Sequence, residues 1–119
     1  MKIENLRFRQ AIFENGKFIK WHYWGFVDHR YDFVGPITIV GINIKYDIMD
    51  SQQFTGEIDY NNRSIYEGDK IINQSRNERQ PHPIVFYKGK FLGDYGGLYY
   101  DFSQEIGRER IEVVGNIHE

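Results

Sequence analysis

The chain has no cysteine, so disulfides, thiolate zinc centres, iron–sulfur clusters and cysteine nucleophiles are all excluded. It has only 3 prolines, far too few for a polyproline or collagen-like chain. No stretch approaches the roughly 20 consecutive apolar residues of a membrane span. The longest β-branched run, Ile37 to Ile44, is interrupted by Gly41 and Asn43. The opening residues, Met1-Lys2-Ile3-Glu4-Asn5-Leu6-Arg7, lack the apolar segment of a secretory signal, and the expected location is the cytoplasm. Charge of one sign is missing as well. With 15 Lys and Arg against 17 Asp and Glu, the net charge is −2 and the pI about 6.1, so the chain as a whole offers no basic field to nucleic acid or anionic lipid.

What is present is the make-up of a small folded domain. The 119 residues are 40% hydrophobic, too apolar for disorder, and 17% aromatic, with 12 glycines to punctuate strands. Asn15-Gly16 lies between two aromatic runs and suits a type I′ hairpin turn. A two-residue loop there sets Glu14 opposite Lys17, Phe13 opposite Phe18, Ile12 opposite Ile19 and Arg9 opposite His22. One face then carries Leu6, Phe8, Ile12, Ile19, Trp21 and Tyr23 as core. The other carries Arg7, Arg9, Ala11, Lys20, His22 and Trp24.

A loop from Phe26 to Pro36 leads to a second β segment, Ile37 to Ile44. Asp47 to Ser51 reads as a turn or a short helical piece, and Asn61-Asn62 as a further turn. Gly68-Asp69 launches a strand, and a polar loop from Asn73 to Gln80 closes at Pro81-His82-Pro83, where proline disfavours ladder pairing. Strands flank Lys88-Gly89-Lys90. Glycines 93, 96 and 97 mark a bend, Ser103 caps a single helical turn, and a last strand runs from Ile111 to Ile117. The expected fold is mainly β: a small SH3-like or coiled-sheet barrel in the C-terminal half (65–119), an N-terminal hairpin layer (1–64), and at most short helical turns. Together they make one domain spanning 1–119.

Catalytic and metal patterns are weak. His22, His29 and Asp32, or Asp47, Asp50, Glu57 and Asp59, offer carboxylate and imidazole ligands but neither a zinc nor a calcium-loop spacing, and no metal or cofactor is expected. No serine lies in a nucleophile elbow, His82 reads as an exposed loop residue, and Glu67 with Asp69 reads as turn chemistry. The Gly93–Gly97 bend has no phosphate-binding lysine. Two binding surfaces stand out. Arg7, Arg9, Lys20, His22 and Trp24 interleave cations with aromatics, the pattern of a single-stranded nucleic-acid face. Tyr95, Tyr99, Tyr100 and Phe102 form a dense aromatic stretch suited to a protein interface.

Five segments in order carry a family likeness: Leu6-Arg7-Phe8-Arg9-Gln10-Ala11; Gln53-Phe54-Thr55-Gly56; Ile65-Tyr66-Glu67-Gly68-Asp69-Lys70-Ile71; Val85-Phe86-Tyr87; and Val113-Val114-Gly115-Asn116-Ile117-His118-Glu119. The chain resembles the YopX family of bacteriophage and prophage proteins. Asn61-Asn62 replaces that family's usual Asn-Gly. The resemblance implies a mostly-β fold, a phage or prophage origin, self-association, and no established enzymatic activity. It gives Gly56, Gly68 and Gly115 a role in backbone geometry, and Asp69 and Asn116 a role in turn hydrogen bonds. The functional expectation is a non-enzymatic, oligomerising interaction module in the cytoplasm of a bacterial host. Its expected partners are itself and phage or host proteins, with no membrane. A single-stranded nucleic-acid-binding accessory protein is the second reading, and a small hydrolase or nuclease stands third.

Overall fold

The computed structural model describes residues 6–26, 33–37, 46–78 and 80–118. The protein is mainly β, and its helical content among these residues is limited to single 3-10 turns. The strands are β1 (Arg7–Glu14), β2 (Lys17–Gly25), β3 (Tyr46–Ile48), β4 (Gln52–Ile58), β5 (Ser64–Tyr66), β6 (Asp69–Asn73), β7 (His82–Tyr87), β8 (Lys90–Tyr95), β9 (Leu98–Tyr100) and β10 (Ile111–Asn116). Two compact units are formed, Met1–Phe54 with His118 and Thr55–Ile117 with Glu119, so the chain divides before residue 64. The reason is that the β4–β5 turn is fastened to β10: Tyr60 N donates to the Ile111 carbonyl at 2.8 Å and Val113 N to Asp59 Oδ2 at 2.9 Å.

In the first unit, Asn15 (φ 51°) and Gly16 (φ 79°) adopt the left-handed conformation that a type I′ turn demands. The pairs Glu14–Lys17 and Phe13–Phe18 form as expected. Beyond them the register departs, because a β-bulge between Ile12 and Phe13 sets Ile12 opposite Lys20, Arg9 opposite Tyr23 and Phe8 opposite Trp24. Ile19 is the extra residue, and one extra residue exchanges the faces of everything beyond it on β2. Arg7, Arg9 and Ala11 therefore share a face with Trp21 and Tyr23. Phe8, Gln10 and Ile12 share the other with Lys20, His22 and Trp24. Leu6, Ile19 and Tyr23, expected in the core, are exposed. On its other edge β1 pairs with β3, where a turn was expected, and with Gln52 and Gln53 of β4. Paired on both edges, β1 buries Arg9, Gln10, Ala11 and Ile12 in succession. Of the expected Ile37–Ile44 strand only Ile37 is described; its amide and carbonyl are both bonded to the Gln10 side chain, at 2.8 and 3.1 Å.

In the second unit, β10-β6-β7-β8-β9 form an antiparallel sheet that curls into a half-barrel. Its core is Ile65, Ile71, Ile84, Phe102 and Ile111. Pro83 lies inside β7, opposite Lys70, against expectation. The Ile84 carbonyl accepts from Gly68 N, so by alternation Pro83 turns its nitrogen toward β8, ahead of the first β7–β8 pair at Ile84. Lys88 and Gly89, both at positive φ, form a two-residue loop that lets Tyr87 pair with Lys90. The helical turn spans Phe102–Gln104, and its cap is Asp101 in place of Ser103; the carboxylate accepts from Ser103 N at 3.2 Å.

The turn joining β5 to β6 is held from three sides. Asp69 is buried; its Oδ2 accepts from Tyr66 N at 2.8 Å and its Oδ1 from Asn116 Nδ2 at 3.1 Å. Gly68 (φ 86°) donates to Ile84 and accepts from Ile117 N at 2.9 Å. Thr55 Oγ1 donates to the Ile65 carbonyl at 2.7 Å. The motif residues Thr55, Tyr66, Gly68, Asp69 and Asn116 thus converge on one turn. Gly56 adopts the left-handed conformation (φ 88°). Gly115 has open space around the position of a Cβ and sits beside the β10 bulge.

Replacing Asp69 by Ala strands two buried donors, and unfolding in urea should show a loss of about 2–4 kcal/mol. Asp69→Asn, which keeps one carbonyl acceptor, should lose less. Equal stability of Asp69→Ala and the parent would refute this account of the turn.

Candidate functional site

The basic–aromatic set of the hairpin is divided by the bulge. On one face the Arg7 guanidinium lies 4.0 Å from the Phe54 ring centroid and the Arg9 guanidinium 4.0 Å from that of Trp21. Arg9 Nε also donates to Gln52 Oε1 at 3.1 Å, and the residue is buried. On the other face Trp24 stacks on Phe8 at 4.2 Å and donates its indole N–H to Ser51 Oγ at 2.9 Å, while His22 Nε2 donates to the Gly35 carbonyl at 2.9 Å. Lys20 is the one exposed residue of the five. Cations that sequence alone assigns to phosphates are instead spent on aromatic rings within the fold.

The aromatic stretch of the second unit also divides. Phe102 is core, and Tyr100 turns inward to His82. Tyr95 and Tyr99 are exposed, and so are Leu98 from the same stretch and Phe86 and Tyr87 from β7. Leu98 is 74% exposed, Phe86 52%, Tyr95 50%, Tyr99 47% and Tyr87 42%. Tyr87 and Tyr99 stack at 4.7 Å, with the Lys88 ammonium 5.3 Å from the Tyr87 ring. The register explains the arrangement. By alternation Tyr87 and Tyr99 share the sheet face turned away from Ile84, whereas Phe86, Tyr95, Leu98 and Tyr100 lie on the Ile84 face. Phe86 and the Tyr95–Leu98 pair are exposed at the two ends of that face, where the core no longer reaches.

Behind this ribbon lies a polar cluster that sequence reading missed. His82 is buried with its ring between Tyr95 and Tyr100, at 5.4 and 5.2 Å, and its Nε2 is hydrogen-bonded to the Tyr100 hydroxyl. Nδ1 lies 3.9 Å from Glu78 Oε1. Burial holds the imidazole below its usual pKa and pushes the Tyr100 phenol well above its own. Close by in chain order, the buried Asn73 amide donates to Glu105 at 2.8 Å and to Glu109 at 2.6 Å, and Arg76 Nε meets Glu109 at 3.1 Å. Burial raises the Glu105 carboxyl, while the Asn73 amide lowers that of Glu109. The pair shares one amide donor and titrates apart. Pro81-His82-Pro83 pointed to a loop; the strand pairing of His82 with Ile71 is the signal that only the fold supplies.

Asp59 spends its carboxylate on the backbone N–H groups of Asn61, Arg63 and Val113, at 2.8 to 2.9 Å. His29 and Asp32 lie outside the described residues. Among the described residues no three His, Asp or Glu side chains converge as metal ligands, and no helix is long and apolar enough to cross a membrane.

Fold and site together define a mainly-β protein whose motif residues converge on a turn and several of whose aromatics are exposed along one sheet. The family model described as YopX protein matches residues 37–119, and the chain belongs to the YopX family. Comparison with curated proteins and with solved structures gives no match.

The buried imidazole sets a pH dependence. Its folded pKa is depressed, so the unfolded chain binds its proton first; the stability contribution is complete above about 6.5 and is lost as pH falls below that value. Between about pH 7 and about pH 5 the parent should therefore lose more stability than His82→Gln, in denaturant melts compared at each pH. Parallel curves for the two proteins would exclude His82 as the source.

Proposed function

We propose that this protein is a non-enzymatic interaction module, of phage or prophage origin, that associates with further copies of itself in the cytoplasm of a bacterial host. The observation that supports it is the exposed ribbon of β7–β9. Large apolar side chains scattered singly on a surface mean little, but here they come in pairs on neighbouring strands. Tyr87 and Tyr99 stack on one face of the sheet, and Tyr95 and Leu98 lie opposite each other on the other face, where Phe86 is exposed farther along. Tyrosines of this kind supply broad contact area at small entropic cost and are enriched among interface hot spots. The short strand β9 lies beside them at an edge of the described sheet, where a further strand can pair. The hairpin gives less support to the nucleic-acid reading, since Arg7 and Arg9 are engaged with Phe54 and Trp21.

The test is the mass in solution, by light scattering across a concentration series. Leu98→Glu and Tyr99→Ser should each weaken assembly by about tenfold or more while leaving the folded spectrum intact, because both side chains lie outside the core. Lys20→Ala should leave assembly unchanged. A parent that stays monomeric at high concentration, or variants that assemble as well as the parent, would sink the proposal.

A further inference from the structure

A second surface of the same unit has the make-up of a ligand site. The β4–β5 turn and residues 106–111 enclose a cleft of about 560 Å³ whose lining includes Ile58, Tyr60, Asn62, Ser75, Arg108 and Arg110. Tyr60 is 61% exposed although the Arg110 guanidinium lies only 4.7 Å from its ring centroid, so one ring face is covered by the cation and the other is open. The acidic groups of the lining are already engaged. Asp59 is capped by its backbone donors, and Glu109 is bound by Asn73 and Arg76. Arg110 is matched by Glu112 Oε1 at 3.1 Å. The Arg108 guanidinium has no hydrogen-bond or ion-pair partner among the described residues. The site is also held rigidly: Tyr60 N bonds to Ile111, and Arg110 N to Ser75 Oγ at 2.9 Å.

An open aromatic face, an arginine stacked behind it and a second arginine without a partner, set in one preformed cleft, suit a ligand that is planar at one end and anionic at the other. We infer that this cleft binds a nucleotide unit, with its base stacked on the open face of Tyr60 and its phosphate taken by Arg108. The same chemistry is offered by a free nucleotide and by one residue of a single strand. The site shares no residue with the β7–β9 ribbon, so its success or failure is independent of self-association.

The experiment uses the full chain and a fluorescein-labelled thymidine oligonucleotide of about 15 residues, followed by anisotropy over a range of salt. The inference expects saturable binding at low salt. Tyr60→Leu, which keeps an apolar side chain but removes the ring, should weaken it about tenfold. Arg108→Gln should weaken it too and lower the slope against log salt by about 0.7. Competition by thymidine monophosphate would identify the free nucleotide as a ligand; binding without such competition, still lost in Tyr60→Leu, would identify the strand. Displacement by inorganic phosphate as effective as by the nucleotide would overturn the role given to Tyr60. Absence of binding at low salt, or binding unchanged in both variants, would overturn the inference as a whole.

Discussion

The second unit depends on a buried carboxylate that ties a turn to the last strand. Asp69 answers two donors that strand pairing leaves unserved, the Tyr66 N–H inside a tight turn and the Asn116 amide at the end of the last strand. A buried carboxyl is tolerated where its oxygens accept hydrogen bonds, since leaving such a group unsatisfied costs on the order of several kcal/mol. The bonds therefore work in both directions: the turn satisfies the carboxyl, and the carboxyl fastens the C-terminal strand to the turn. Asp59 repeats the device at the neighbouring turn and Asn73 repeats it with an amide, each joining a local loop to β10 or to the segment before it. A short β unit with a five-residue core cluster adds to its apolar packing these hydrogen bonds from buried polar side chains to backbone and to other side chains.

Much of this was legible in the sequence where a local rule had one solution. Asn15-Gly16 and the glycine at 68 require left-handed backbone, and each sits where a strand must reverse. The strands between them follow from β-branched and aromatic runs. The hairpin's faces were not legible, because a bulge leaves no residue signature at Ile19; it shows only in the partners of β2. The burial of His82 was hidden for a related reason. Proline on both sides argues against pairing as a general rule, yet the rule concerns N–H groups that face a neighbour, and which way Pro83 faces is a property of register. The polar cluster of Asn73, Glu105 and Glu109 joins residues far apart in the chain, and no spacing announces it.

The aromatic residues, which dominate the composition, serve three separate ends. Phe54 and Trp21 shield arginine charge inside the first unit. Phe102, Phe91 and Tyr100 fill or border the core of the second. Tyr87, Tyr95 and Tyr99 remain outside on the ribbon, and Tyr60 stands in a cleft of its own. Only neighbours distinguish these roles, so a count of tyrosines says that surfaces exist without saying where.

The bulge at Ile19 has a consequence for how this hairpin can vary. Removing that one residue would leave an uninterrupted ladder in the register that already holds beyond the bulge, with Lys20 opposite Ile12 and Trp21 opposite Ala11. Keeping the residue and losing the bulge, so that Ile19 paired with Ile12, would instead bring Lys20, His22 and Trp24 round to the side of Arg7 and Arg9. It would also withdraw Trp21 from above Arg9 and part the Phe8–Trp24 stack. Substitution along β2 alters one contact at a time, whereas a one-residue slip rewrites both faces together. Register, more than identity, is what this strand has to preserve.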